Sequence, residues 1–513
     1  MTGTNGNSRL GTVSLITILF LLVFHMAGYA HIDTDDAYIS FRYARNLFRG
    51  NGLVFNPGER VEGYTNFLWT ILMVPSFAAN FDPMTWARIL GGLCSLCCII
   101  ALAVFARSYR QAILATLWLA LHPPFAYWSV DGLETPMFTM LVTFAVLLWW
   151  RKESPRLAAI LFVLASLTRP EGVLFFVVTL LTSWLLSRQS RTSQWQAALI
   201  FVICYGIYFF ARYTYYGYLL PNTFYAKTGG DSRISSGLAY ICDHAFRKWW
   251  PIYTLGLVST ATVHRRRQLA LISIVLSYLA YVAWTGGDWM AQHRFIVPIL
   301  PLSSFMAADV FSSLPRTRHR RIASISLILI VTCFLISGAI PTWQSVYKVP
   351  WKIDPNQNKA DVLIELGLWF HAHTDPATVI AVVPAGKIPY FADRYTIDMR
   401  GLADVHIAHL PIVSPGLMGH EKRDPDYVLS RAPDYIVTTG ARLKPGRAPN
   451  VGADEERTGP MILDSYPILN RQEFKQNYHP ITVPLAVGDK DLYFFARNAD
   501  THQRFQSKTL TKQ

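Results

Sequence analysis

"GTVSLITILFLLVFHMAGYAHIDTDDAYISFRYARNL", residues 11–47, sets an unbroken apolar run against a segment holding Asp33, Asp35 and Asp36. A run of about 17–25 apolar residues crosses a bilayer as a helix, which satisfies its backbone hydrogen bonds internally. Residues 11–30 are long enough for that. A cleavable signal peptide is the competing reading, with Gly28-Tyr29-Ala30 as a small-x-small site. The run is long for that role and its basic flank is Arg9 alone, so the segment reads as a retained helix. Asp35 and Asp36 then stand at the mouth of a membrane helix, where adjacent carboxylates repel one another and need a reason to be.

The rest of the chain follows the same pattern. Of 513 residues, 52% are hydrophobic, 14% aromatic and 16% charged, against about 25% charged in soluble domains. The net charge of +14 is gathered into short loops: Arg107/Arg110, Arg151/Lys152/Arg156, Arg188/Arg191, Arg265–Arg267 and Arg316/Arg318/Arg320/Arg321. Short basic loops mark the cytoplasmic side of a membrane protein, so the charge is a topology signal and no nucleic-acid partner is expected.

With those loops inside, parity gives the crossings. The chain leaves the cytoplasm at 11–30 and must be back by Arg107, so only one of 67–80 and 86–105 crosses. The shorter, containing Pro75, reads as interfacial or re-entrant. Further crossings fall at 111–127, 135–150, 157–168, 173–187, 195–212, 249–263, 268–285, 294–312 and 322–340, giving about eleven. After Ile340 the composition turns polar, with strand-like "TVIAVVP" and "DYIVTT" and the loop-like "KPGRAPNVGADEERTGP" (444–460). The expected architecture is an all-α polytopic membrane domain over 1–341, including a first outer loop at 31–66. A C-terminal extracytoplasmic α/β cap domain follows over 342–513.

No phosphate-cradling G-x-x-x-x-G-K-[ST] or strand-linked G-x-G-x-x-G occurs, which argues against a nucleotide-driven machine. Cys94, Cys97 and Cys98 share one apolar helix without His or acid, so they read as small buried residues. No cofactor or metal is indicated. The informative residues sit in the outer loops: 31–69, "DGLETP" (131–136), "TRPEG" (168–172), "YYGYLLPNTFYAKTGG" (215–230) and "TGGDWMAQHRF" (285–295). Ionisable residues near membrane depth are costly and mark functional sites; five loops on one face carry the same chemistry.

Taken together, "DDAYISFRYARNL…GLVFNPGERVEGYTNFLW", "GLETPMF", "LTRPEG", "LPNTFYAKTG", "GGDWM…RFIVPILP" and "IPYFADRYTIDMRGLAD" resemble the integral-membrane GT-C glycosyltransferases. More narrowly they look like the terminal β-(1→2)-arabinofuranosyltransferase family and related pilin arabinosyltransferases, over about residues 11–440. The resemblance implies a multi-pass bacterial inner-membrane enzyme with its active site on the extracytoplasmic side. Its donor would be a polyprenyl-phosphate sugar, arabinofuranose by family, and its acceptor an outer-face glycan or pilin-like protein. A GT-C transferase for a hexose or aminopentose is the alternative within the class, and a non-enzymatic lipid or glycan transporter the alternative outside it. A transporter, however, would place its charges near the midplane and often shows internal repeats.

GT-C enzymes carry an essential acid in the first outer loop, which maps onto Asp35 or Asp36. One aspartate can deprotonate the acceptor hydroxyl, its like-charged neighbour raising one pKa of the pair, or act as nucleophile if configuration is retained. The bland alternative is capping of the helix that follows. Candidate donor-phosphate residues are Arg42, Arg45, Arg169, Lys227 and Arg294, and candidate substrate contacts are Glu62, Tyr64, Glu134, Glu171, Asp288 and Trp289. Arg42 and Arg45 share a helix face and alternatively snorkel to lipid headgroups; Arg169 alternatively pairs with Glu171.

Overall fold

The computed structural model describes residues 3–187, 189–228, 233–245, 249–261, 265–312, 317–347, 361–412, 421–443, 467–485 and 490–498. Arg188, Arg316 and the 444–460 stretch lie outside them. Packing sorts the chain into two units that do not follow its linear order. One comprises Met1–Thr34, Thr65–Thr214 and Asp231–Trp351; the other Asp35–Tyr64, Tyr215–Gly230 and Lys352–Gln513.

The first unit is helical. Pro83–Phe105, Arg191–Tyr216, Arg265–Thr285 and Arg318–Ile340 are long and apolar enough to cross a membrane; Gly11–Ala27, Phe67–Ala78, Thr135–Arg151, Pro155–Thr168 and Gly172–Leu186 are shorter apolar helices. Three expected crossings are not continuous helices. Residues 111–127 break into Tyr109–Ala120 and Pro123–Trp128, because Pro123 and Pro124 lack the donors a helix needs and hold His122 extended. Residues 294–312 become a 3-10 stretch, Ala291–Ile299, and a helix, Leu300–Asp309, with Pro298 and Pro301 at the junction. Within 249–261, the described part of a third, the helix is Trp250–Ser259. Short, proline-broken segments are tolerated at membrane depth where protein covers their backbone, and Leu300–Asp309 is buried throughout.

The second unit is α/β. Among the described residues its five strands are β1 (Val379–Val382), β2 (Tyr395–Asp398), β3 (Tyr435–Leu443), β4 (Tyr478–Pro484) and β5 (Lys490–Arg497), in the order β2-β1-β3-β5-β4. The sheet is parallel from β2 through β1 to β3 and antiparallel beyond. Ile380, Val382, Val437 and Phe494 pack one face against the helix Val362–His373; Ala381, Ile436 and Phe495 pack the other with Val428, Leu429 and Phe474. Burial on both faces is why β1 reads as an unbroken apolar run.

The segment Asp35–Tyr64, which linear reading assigns to the membrane domain, packs with the C-terminal residues. The reason is polar. Asn56 receives a hydrogen bond from the Thr396 amide (3.1 Å) and donates to the Thr396 carbonyl (2.9 Å), acting as one more strand rung. Asn222, from the 215–230 segment, donates to the carbonyls of Gly401 (2.9 Å) and Leu402 (3.0 Å).

Candidate active site

In the α/β unit, Asp35 immediately precedes the helix Ala37–Phe48, whose N-cap is Asp36. Asp35 does not face open solvent. Its Oδ2 accepts from the Gly386 amide (3.0 Å) and its Oδ1 from the Lys387 amide (2.7 Å), at the start of the helix Lys387–Ala392. Gly386 is required there, since a Cβ would collide with the Asp35 backbone carbonyl. Burial pushes the Asp35 carboxyl up to about 6, against the pull of the Lys387 amide and with a push from Asp36. Asp36 makes no side-chain capping bond to the helix it precedes. The two acids thus have different surroundings, and simple capping does not account for Asp36.

Arg42 is buried, and its guanidinium faces protein on every side that carries a donor. Nε donates to the Phe55 carbonyl (2.7 Å), Nη2 to Asn56 Oδ1 (3.0 Å) and the Arg394 carbonyl (2.7 Å), and Nη1 to the Pro389 carbonyl. Burial and neighbouring Arg45 push it down to about 9. This arrangement replaces the expected phosphate contact at Arg42 with a structural one: the fork is spent on carbonyls. Arg45 donates to the Tyr390 carbonyl (2.8 Å) and pairs with Asp393 (2.8 Å), which Arg49 also engages (2.8 Å). Burial would raise Asp393, but Arg45 and Arg49 hold it below the usual carboxylate range. Tyr64 is buried, edge-on to Tyr43 at 4.8 Å with its hydroxyl 3.1 Å from that of Tyr216, so it is core and not a sugar-stacking surface. Glu62 is buried beside it, its carbonyl accepting from the Asn222 amide (3.1 Å). Lys227 ends the helix Asn222–Lys227 and is exposed.

In the helical unit, three of the motifs converge. Arg169, in the break between Pro155–Thr168 and Gly172–Leu186, bonds Glu134 Oε1 through Nη1 (2.8 Å) and Glu171 through Nη2 (2.9 Å). Asn66 donates to the other oxygen of Glu134 (2.9 Å), and the Tyr281 hydroxyl donates to Glu171 (3.2 Å). Burial opposes charge on Glu171, but Arg169 holds it below the usual range. Arg294 pairs through Nε with the buried carboxylate of Asp288 (2.7 Å). The guanidinia of Arg169 and Arg294 each lie 5.2 Å from the Phe295 ring centre, so "GLETP", "TRPEG" and "DWMAQHRF" share one aromatic hub. Trp289 is half-buried beside Asp288 in sequence.

The structure brings Arg169, Glu134, Glu171, Arg294 and Asp288 into one neighbourhood; sequence reading named them separately, as phosphate and substrate candidates. It missed Asn66, Tyr281 and Phe295, as well as Gly386, Asn56 and Asn222. The two asparagines sit inside the quoted motifs and the glycine two residues before one, but their partners lie about 180 to 350 residues away, and a sequence does not announce such pairings.

The two units, one helical and one α/β, have solved structural counterparts. The chain is similar in fold to ArnT from Cupriavidus metallidurans bound to undecaprenyl phosphate, with a TM-score of 0.54 and 12% identity over 77% of this chain and 86% of that one. It is also similar to the arabinofuranosyltransferase AftD from Mycobacteria, with a TM-score of 0.51 and 15% identity over 96% of this chain and 42% of that one. In sequence it is 28% identical over 277 residues to the terminal beta-(1->2)-arabinofuranosyltransferase of Mycobacterium tuberculosis, covering 47% of this chain and 43% of that protein. Against the protein of the same name from Corynebacterium glutamicum it is 27% identical over 335 residues, 52% of this chain and 46% of that protein. The match therefore spans somewhat under half the length of these relatives. Residues 351–503 match a domain of unknown function (DUF8728). The resemblance read from the motifs is confirmed.

Proposed function

We propose that this protein is a GT-C glycosyltransferase of the bacterial cell membrane that transfers arabinofuranose from polyprenyl phosphate to an outer-face glycan or glycoprotein acceptor. The observation that carries the reading is the convergence on the Phe295 ring of Arg169 and Arg294, each paired with carboxylates, drawn from the same motifs that carry the family resemblance. The names of the arabinofuranosyltransferase relatives support the sugar, and the undecaprenyl phosphate bound by ArnT supports the donor class.

Chemically, a sugar on a lipid phosphate already has its leaving group. The protein must hold that phosphate, take a proton from the acceptor hydroxyl and stabilise an oxocarbenium-like transition state. Arg294, whose Nε pairs with Asp288, is taken as the phosphate ligand, whereas Arg169 is bracketed by Glu134 and Glu171. A guanidinium grips phosphate through charge-assisted, bidentate bonds. Asp36 is assigned as the general base and Asp35 as its structural neighbour, because both oxygens of Asp35 are engaged by backbone amides. The α/β unit serves as the cap that recognises acceptor. Purified protein supplied in parallel with polyprenyl-phosphate arabinofuranose and nucleotide-linked arabinose tests the class. Turnover with the lipid-linked donor is expected; turnover with the nucleotide sugar alone would sink the reading.

A further inference from the structure

Residues 286–295 of the helical unit form a strap whose backbone turns left-handed twice. Gly286 (φ 91°) and Gly287 (φ 84°) make the first turn, Gln292 (φ 55°) and His293 (φ 48°) the second. At the first, glycine is the ordinary solution, and a Cβ on Gly287 would also meet the Tyr240 ring at 2.7 Å. At the second, glycine would relieve the same backbone, yet the chain keeps two consecutive side chains there. Non-glycine residues in this region persist only where their surroundings over-determine them, and they cluster at functional sites.

The surroundings are specific. The Trp128 indole donates to the Gln292 carbonyl (3.0 Å), His293 Nε2 meets Asp243 Oδ2 (3.0 Å), and the Phe295 amide donates to the Tyr240 hydroxyl (3.1 Å). Behind His293 lies a wall of rings: His244 at 5.1 Å, His122 stacked on His244 at 5.4 Å, and Trp249 stacked on His122 at 3.6 Å. The result of the second turn is that the chain doubles back, so that Arg294 Nε reaches Asp288 six residues earlier and its guanidinium lies over Trp128 and Phe295.

We propose that His293 is a positioning residue: latched to Asp243 in the left-handed conformation, it presets Arg294 to receive the phosphate of a polyprenyl-phosphate ligand. The inference rests on the reading of Arg294 given above. A preset arginine avoids the ordering cost that a mobile strap would charge against binding.

The test is direct binding of undecaprenyl phosphate, with undecaprenol as the phosphate-free control, to the full chain purified in detergent. Wild type is expected to prefer the phosphate. His293→Val, whose branched side chain resists the left-handed region, should weaken phosphate binding about tenfold without changing undecaprenol binding. His293→Asn, which tolerates that region and retains a polar group toward Asp243, should recover most of the loss. If His293→Val fails to fold, the double variant Gln292→Gly, His293→Gly decides, since it permits the turn but removes the latch; it too should bind about tenfold more weakly. Wild-type phosphate affinity in the folded His293→Val or the double glycine variant overturns the positioning role alone. Absence of any phosphate preference in wild type overturns the Arg294 reading and the inference together.

Discussion

Arg42→Lys separates a structural arginine from a phosphate-binding one, because the two roles fail differently. Arg42 serves four acceptors spread around a planar fork: the carbonyls of Phe55, Pro389 and Arg394 and the side-chain oxygen of Asn56. An ammonium carries three donors at one point and no second arm. At least two of the four charge-assisted hydrogen bonds are then lost, each worth about 1–3 kcal/mol, so the α/β unit should lose about 2–6 kcal/mol. Loss of the guanidinium over the Phe55 ring, now at 4.5 Å, adds to this. Hydrogen exchange followed by mass spectrometry on purified protein reads the effect locally. Peptides covering 387–396 and 54–58 should exchange faster, about thirtyfold for a loss of 2 kcal/mol, while helices of the other unit keep their protection. Donor KM in the surviving folded fraction should stay near wild type. Unchanged exchange combined with a raised KM for the lipid donor would refute the structural assignment and return Arg42 to the phosphate.

The paired acids should part company: Asp36→Asn is expected to lower transfer by about a hundredfold or more at unchanged melting temperature, whereas Asp35→Asn, which surrenders one of two amide contacts, should cost about 1–3 kcal/mol of stability. Near-normal turnover by Asp36→Asn would end its candidacy as base. The buried carboxyl of Asp398 is raised to about 6, chiefly by burial and despite the amides of Ala403 and Arg400. The native state therefore holds this proton more tightly than the unfolded chain, so the contribution is full below about pH 4 and is lost as pH rises to about 6, on the order of 3 kcal/mol. Asp35 acts with the same sign and Asp393 with the opposite one; urea unfolding of the wild type and Asp398→Asn over that range should show the variant with the flatter slope, and identical slopes would contradict the assignment. Finally, deletion of 351–513 removes the Gly386 and Lys387 amides from Asp35, the Pro389 and Arg394 carbonyls from Arg42 and Thr396 from Asn56, so residues 35–64 should become protease-sensitive; continued protection would mean that segment folds without the C-terminal strands.

The sequence alone was sufficient for what depends on local composition. Apolar run length locates most of the helices, because a bilayer-depth helix must hide its own backbone. The doubly buried strand β1 and its neighbour β3 stand out as apolar runs after Ile340 for the same kind of reason. The motif acids and arginines of 131–136, 168–172 and 285–295 were conspicuous because charge is rare in this chain, but only the fold gathers these three loops. Tertiary structure decided the roles. Arg42 and Arg294 look alike in sequence, each an arginine near an aspartate in a loop motif, yet the carbonyls around Arg42 come from residues up to 352 positions away, while Arg294 meets a carboxylate six residues back. Asp35 and Asp36 are adjacent and chemically identical, and the arrival of the Gly386 and Lys387 amides at Asp35 is supplied by the fold. Prolines 123, 298 and 301 broke helices that hydropathy had drawn whole, since an average over a window does not register a missing donor. A side chain's function is set by what occupies its hydrogen-bonding directions, and in this protein those occupants are brought in by the fold from far along the chain.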